Sequence, residues 1–181
     1  MEGTDLSKFM TLLEEIQTAA VDVSTDLGTL LRKCKVLGAR LGSVQLENWV
    51  LWESNGYPEN VPVPDYRVWT LQLKGDFSGP FRSTARLPIP LIAVPEKARK
   101  LYENYECRES VAAIEATLKT GPTSLTVSTG DLALAIHTDL YNDHNCVQAW
   151  AEFGPGHLIE LLNVVRNRIL RRKTVTSARR N

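Results

Sequence analysis

The stretch WVLWESNGYPENVPVPDYRVW, residues 49–69, decides how this chain is organised. It begins in an apolar pattern of helical spacing that ends at Asn55-Gly56, because glycine readily takes the left-handed conformation that closes a helix. The prolines that follow stop any further helix and hold the chain extended. The stretch therefore marks the passage from a helical part of the chain to a mixed one.

Three helices are predicted before Gly56. Apolar residues recur at helical spacing over residues 6–20, 27–41 and 44–53. Ser24 or Thr25 is placed to open the second helix, with Asp26 in its first turn. Each helix has one apolar face, so the three must pack against each other or against another element.

A small antiparallel β element is predicted after the prolines. Residues 67–73 are rich in strand-forming side chains, Lys74-Gly75-Asp76 is suited to a turn, and residues 77–86 supply the returning strand. The elements predicted after it are, in order, a helix over 96–118 with a break near Cys107, a strand over 124–127, a helix over 131–140, an extended segment over 146–153, and a last helix from Leu158. The fold class is thus α+β and helix-dominated, with an N-terminal helical unit, this β element and C-terminal helices.

The composition is that of an ordinary globular chain. Of 181 residues, 43% are apolar and 23% charged, which excludes a disordered, collagen-like or disulfide-rich chain. We expect one domain over residues 1–173 and a basic tail over 174–181. The chain shows no apolar run long enough for a membrane span and no secretion signal, so we expect a cytoplasmic protein with no membrane partner. Three distant cysteines predict free thiols.

The neutral total charge hides an asymmetry. Residues 1–161 carry 14 basic and 21 acidic side chains, whereas residues 162–181 carry seven basic and no acidic ones. A solvated helix end, whose cations suit the negative end of the helix dipole, is the favoured interpretation. Phosphate or nucleic-acid contact is the alternative. The residues that would make this contact are Arg166, Arg168, Arg171, Arg172 and Lys173.

Familiar catalytic motifs are absent from the sequence. There is no nucleophile elbow, phosphate-binding loop, zinc-protease motif or dinucleotide glycine signature. The densest set of metal-ligand residue types is His137, Asp139, Asp143 and His144, and a solvated polar loop is the favoured interpretation of that set over a metal site. We therefore expect no metal and no cofactor.

The aromatic stretch has two interpretations. In the favoured one it is architectural, and Glu53 or Asp65 forms a pair with Arg67 that fixes the connection. In the other it forms an interface or pocket, since Trp, Tyr and Arg are enriched in interfaces and aromatic rings can stack on a ligand. The candidate binding residues are Trp49, Trp52, Glu53, Tyr57, Asp65, Tyr66, Arg67 and Trp69.

Five segments in order give the chain a family resemblance. They are LLRKCKVLGARLGS (30–43), W-x-x-x-E-x-N-G-Y-P (49–58), V-P-D-Y-R (63–67), G-D-F-S-G-P-F (75–81) and V-V-R-N-R-I-L (164–170). Together they resemble the AbiTii domain over about residues 29–170. That family is associated with abortive-infection and other anti-phage systems of prokaryotes. The resemblance implies a role in phage defence, and it names no reaction.

Three functional hypotheses follow. The preferred one is a non-catalytic defence module that recognises a partner protein or phage component, with self-association into a homo-oligomer. The second is a nuclease-type toxin acting on RNA or DNA, with Asp139, Asp143 or His144 doing the chemistry. The third is a nucleic-acid-binding sensor that does not cleave its ligand.

Overall fold

A computed structural model describes residues 3–136, 140–141 and 143–171 of the chain. The described part is α+β and helix-dominated, as the sequence predicts. It divides into two compact units. The helical unit takes its residues from Met1–Val63, Arg108–Thr120 and Leu158–Asn181, and the sheet unit from Pro64–Cys107 and Gly121–His157. The prediction of a single domain over residues 1–173 remains a prediction.

The helical unit contains the three predicted N-terminal helices and two later ones. The helices are α1 (Gly3–Val21), α2 (Leu27–Leu41), α3 (Val44–Asn55), α5 (Val111–Lys119) and α7 (Gly156–Arg171), which enters this unit at Leu158. α2 packs against α1, α3 and α5. The core of this unit consists of apolar side chains at helical spacing, among them Leu27, Leu30, Leu31, Cys34, Trp49, Val50, Val111, Ile114, Leu161 and Val165.

α2 begins one residue later than the sequence suggests. Asp26 is its N-cap, and the Asp26 side chain accepts the Thr29 N–H at 2.7 Å. Neither Ser24 nor Thr25 takes this role, because both hydroxyls donate to the Asp22 carboxylate. These hydrogen bonds from Ser24 and Thr25 lower the pKa of Asp22.

The end of α3 is held by a set of contacts around Arg108. Gly56 has a φ of +92°, and its N–H donates to Trp52 O at 2.8 Å. The next N–H, of Tyr57, donates to Arg108 O at 2.8 Å. The Arg108 guanidinium donates to Pro58 O and Val61 O. We call these residues the Arg108 junction, and it ties residues 56–61 to the segment that leads into α5.

The sheet unit is built on a four-stranded antiparallel sheet. Its strands are β2 (Gln72–Ser78), β3 (Ser83–Ile89), β5 (Leu125–Val127) and β6 (Asn145–Phe153), in the order β3-β2-β6-β5. A two-stranded ladder pairs β1 (Val68–Trp69) with β4 (Tyr105–Glu106). Two helices, α4 (Glu96–Glu103) and α6 (Leu132–Ala135), complete the described part of this unit. Its core includes Leu71, Leu73, Phe77, Ile89, Val94, Tyr102, Ala151 and Phe153.

The predicted turn at Lys74-Gly75-Asp76 is wrong, because these residues lie in the middle of β2. Side chains along β2 alternate between buried and half-buried positions, the pattern of a strand with one covered face. Gly75 lies on the covered face, where a Cβ would come within 2.8 Å of Gln148 O. The glycine therefore permits a close approach between β2 and β6. The chain turns later, over residues 79–82, and the return strand is β3.

The predicted helix over 96–118 is confirmed with its break near Cys107, and the break is longer than the sequence indicates. It consists of α4 and α5, with β4 between them. The chain leaves the helical conformation at Asn104, and Cys107 N–H then donates to Arg67 O at 2.8 Å. Pairing with β1 thus overrides the local helical pattern.

Of three further predictions, two are confirmed and one is confirmed in part. The strand over 124–127 and the extended segment over 146–153 are confirmed as β5 and β6. The predicted helix over 131–140 is shorter, since α6 ends at Ala135 and Ile136 is extended; His137–Asp139 lie outside the described residues. Among the described helices, none is long and apolar enough to cross a lipid bilayer.

A glycine pair tests the Arg108 junction. Gly56→Ala should lower the free energy of unfolding by about 3 kcal/mol, because its backbone conformation strongly favours glycine and the methyl group would lie 2.8 Å from Arg108 O. Gly42→Ala is the control: φ is +60° and nothing lies within 4 Å of the added carbon, so we expect a loss of about 1 kcal/mol. Urea unfolding measures both, and equal losses would contradict the account.

Candidate functional site

Four of the eight candidate binding residues in the aromatic stretch are buried. Trp49 and Tyr57 are 5% exposed, and Glu53 and Arg67 are fully buried. Tyr57 donates its hydroxyl to Glu53 Oε1 at 2.7 Å, and Arg67 Nη1 donates to Cys107 O at 2.9 Å. These four side chains therefore contribute to the interior of the protein, as the architectural interpretation expects. The pairing of Arg67 with Glu53 or Asp65 remains a prediction.

The other four are more accessible. Asp65 is exposed, and Trp52, Tyr66 and Trp69 are half-buried. The Trp52 ring lies 5.9 Å from the Tyr57 ring. The Trp69 ring has three aromatic neighbours at 5.2–5.5 Å: Tyr105, Phe153 and His157, the last of which is stacked parallel to it. A role of these four residues in binding stays a prediction.

Two basic residues of α7, Arg166 and Arg168, contact other parts of the helical unit. Arg166 donates to three backbone carbonyls of the α1–α2 connection, Ala20 O, Asp22 O and Thr25 O, at 3.5, 3.0 and 2.6 Å. The Arg168 guanidinium lies 5.8 Å from the centre of the Trp49 ring, a cation–π arrangement. Arg171 is exposed. Arg172 and Lys173 lie outside the described residues.

The candidate metal-ligand set is only partly described, because His137 and Asp139 lie outside the described residues. Asp143 is exposed with φ +58°, and His144 is half-buried. Within the described ranges, no group of three or more His, Cys, Asp or Glu side chains is placed to hold a metal ion. All three cysteines are free, as predicted.

The sequence gives no sign of an ionic cluster on the more exposed face of the sheet. Glu152 is 6% exposed and lies between two cations. Its carboxylate pairs with Lys74 Nζ, accepts from Arg86 Nη2 at 2.9 Å and accepts from Trp150 Nε1 at 3.2 Å. Burial on its own would raise the pKa of Glu152, but Lys74, Trp150 and Arg86 together lower it.

The same cluster fixes an irregularity of the sheet. Arg86 has φ +57°, a strained value for a side chain of this size, where the register of β2 with β3 shifts. Its N–H donates to Asp76 Oδ1 at 2.9 Å, and its guanidinium lies 5.6 Å from the centre of the Trp150 ring. These contacts offset the backbone strain. The sequence does not reveal the cluster, because its members come from three strands that only the fold brings together.

The tip of the β2–β3 hairpin presents a second surface that the sequence did not single out. Phe81 is 100% exposed there. Gly79 N–H donates to Arg82 O at 2.9 Å, and the Ser78 and Ser83 hydroxyls lie 3.2 Å apart, so the loop is closed at its base. The tip exposes a large apolar ring on a short, braced loop.

Arg82, the residue after Phe81, lines a cavity of about 370 Å³. The Tyr141 ring in its wall packs edge-on against Phe77 at 4.8 Å, and the Tyr141 hydroxyl donates to Pro88 O. Phe81 and the cavity together form what we call the tip surface, and the cavity is lined by Arg82, Thr84, Leu87, Leu140, Tyr141 and His144. The tip surface combines apolar, aromatic and cationic groups.

Comparison with known protein families gives a match over nearly the whole chain. A sequence model of the AbiTii family matches residues 11–172. The chain belongs to the AbiTii family. The resemblance found on the sequence motifs is thereby confirmed, and it extends further towards the N-terminus than those motifs do. The family name associates this AbiTii chain with abortive-infection defence.

No significant match emerged from the curated proteins or from the solved structures. The function of this AbiTii chain has therefore to be argued from its own residues.

An arginine pair tests whether Arg166 is structural. Arg166→Ala should lower the free energy of unfolding by about 2 kcal/mol, because it removes the guanidinium that donates to the Ala20, Asp22 and Thr25 carbonyls. Arg82→Ala, at an exposed arginine on the hairpin, should change it by less than about 0.5 kcal/mol. Urea unfolding of both variants measures this difference, and an Arg166 variant as stable as the parent would contradict it.

A pH series tests the Glu152 cluster. A pKa lowered by folding stabilises the protein when Glu152 is ionised, and this contribution is lost as the pH falls through the lowered pKa. Glu152→Gln should therefore cost about 2 kcal/mol at neutral pH, and the difference from the parent should shrink between about pH 6 and pH 3.

The exposed Glu59 supplies the control for that series. Glu59→Gln makes the same change of charge and should follow the parent at every pH. A Glu152→Gln deficit that stays constant across the series would mean that the carboxylate charge has no part in holding the cluster.

Proposed function

We propose that this AbiTii chain is a non-catalytic binding module of a prokaryotic abortive-infection system and that it recognises a protein partner through the tip surface. The observation that carries the proposal is Phe81, a phenylalanine with its whole side chain in solvent at the end of a braced hairpin. An apolar ring in water is unfavourable. Burying it against a partner stabilises the complex by about 25 cal/mol per Å² of apolar surface removed from water.

The cavity lined by Arg82, the residue after Phe81, supports a protein as the partner. Aromatic side chains and arginine are enriched in protein interfaces, and Arg82, Tyr141 and Leu87 flank an indentation into which a partner side chain fits. The base of the loop is closed by hydrogen bonds, so little ordering of the backbone would accompany binding. Phe81 also closes the G-D-F-S-G-P-F segment, one of those on which the family resemblance rests.

Nucleic acid is the less favoured partner. Arg166 is engaged with the α1–α2 connection and Arg168 with Trp49, so two of the predicted phosphate contacts already serve the helical unit. Arg171 is exposed near the end of α7. A salt-dependent affinity for RNA or DNA would be the mark of that alternative.

The recognition proposal is tested with Phe81→Ser. Because the side chain is fully exposed, the variant should keep the thermal midpoint of the parent within about 2 °C. It should nevertheless lose the complex with the proteins encoded beside it, measured by size-exclusion chromatography with light scattering, and it should lose protection against phage in a plaque assay.

Ile92→Ser is the matched control, since Ile92 is 81% exposed and lies outside the tip surface. This control should keep both the complex and the protection. A Phe81→Ser chain that protects cells as well as the parent would refute the proposal. Nucleic acid in place of protein in the parent complex, seen as a raised absorbance at 260 nm, would refute it in favour of the alternative.

A further inference from the structure

A second cavity lies within the helical unit, between α2, α3 and the start of α5. Its volume is about 290 Å³, near the lower limit for sites that bind small molecules. The base is apolar, since Leu31, Val50 and Val111 are almost completely buried. Leu51, 43% exposed, forms part of the wall.

The rim of this cavity is cationic and polar. Arg32 and Lys35 line it from α2, where their spacing of three residues places them on one face of the helix. Ser54 and Asn55, the last residues of α3, add a hydroxyl and an amide. No acidic side chain lines the cavity among the residues that the structure describes.

Arg32 and Lys35 differ in the contacts that offset their positive charges. The Asp26 carboxylate lies near Arg32, whose positive charge contributes to the lowered pKa of Asp26 behind the stronger effect of the Thr29 hydrogen bonds. Arg32 also donates to Thr29 Oγ1 at 3.3 Å. Lys35, in contrast, has no hydrogen bond or ion pair with any described residue. The positive charge of Lys35 is therefore not offset by a contact with any described residue.

We propose that this cavity binds a small organic phosphate with an apolar, planar body, the chemical class of the nucleotides. Arg and Lys side chains together suit a phosphate group, the guanidinium by paired hydrogen bonds and the ammonium as a point charge. The accessible Leu51 side chain suits the flat face of a ring, and Ser54 and Asn55 provide donors and acceptors at its edge. This site is separate from the tip surface and does not depend on the recognition proposal.

The site is tested on the full chain by isothermal titration with the four ribonucleoside monophosphates, and with adenosine and inorganic phosphate as the two halves of one of them. At least one nucleotide should bind at least tenfold more tightly than either adenosine or phosphate alone, because the apolar wall and the cationic rim of the cavity act together. If none of the four nucleotides binds below about 1 mM, or if phosphate alone binds equally well, the proposal is overturned.

Charge-reversal variants test whether the nucleotide binds at this cavity. Lys35→Glu should weaken nucleotide binding at least tenfold, and Lys97→Glu, at an exposed lysine of the sheet unit, should change it less than twofold. Leu51→Glu, which places a carboxylate in the cavity wall at an accessible position, provides a second variant. Thermal unfolding shows that each variant is folded. Equal losses from Lys35→Glu and Lys97→Glu would mean general attraction to a cationic surface and would overturn the site.

Discussion

The helical unit depends on the backbone at Gly56. A residue with φ +92° that sits against the Arg108 carbonyl has to be glycine, because a Cβ there would lie 2.8 Å from that oxygen. This conformation presents the Tyr57 N–H to the same carbonyl. Arg108 in turn holds the carbonyls of Pro58 and Val61. Two segments that are distant in sequence, residues 56–61 and the segment at Arg108, are thus fixed by one glycine and one arginine.

This constraint explains why the most conspicuous part of the sequence is largely interior. The N-G-Y-P segment closes α3 and joins the Arg108 junction, and the Trp49, Glu53 and Tyr57 side chains are buried. An aromatic-rich stretch indicates an interface only when its rings reach solvent. The side chain that does so completely is Phe81, in a shorter motif with a single exposed ring. We therefore separate the residues that build this AbiTii domain from those proposed to bind its partner.

The sequence predicts the helices well because their signals are local. Apolar spacing predicts α1, α2, α3 and α7, and the glycine after Asn55 predicts where α3 ends. These helices make the fold helix-dominated. The sheet is predicted only in part, since β5 and β6 are confirmed and the turn within β2 is wrong. Gly75 is compatible with a turn in isolation, but the close approach of β6 uses it within a strand. The break at Asn104 exists because Tyr105 and Glu106 pair with β1, a non-local contact that no window of sequence contains.

The candidate sites follow the same rule. Arg166 and Arg168 are visible as charges, but their contacts are with backbone carbonyls of residues 20–25 and with a tryptophan of α3. The Glu152 cluster and the cavity at Lys35 each combine residues from three elements. The exposure of Phe81 could have been suspected from Gly79-Pro80, since a hairpin loop leaves its apical side chain without neighbours.

Hydrogen–deuterium exchange of the full chain, alone and with the proteins encoded beside it, tests the central claim most directly. The claim is that the aromatic stretch builds the domain and the hairpin tip binds the partner. It predicts slow exchange over residues 49–57 in the free protein, unchanged by the partner, and new protection over residues 78–84 in the complex. Partner-dependent protection confined to residues 49–57, with none over 78–84, would contradict it.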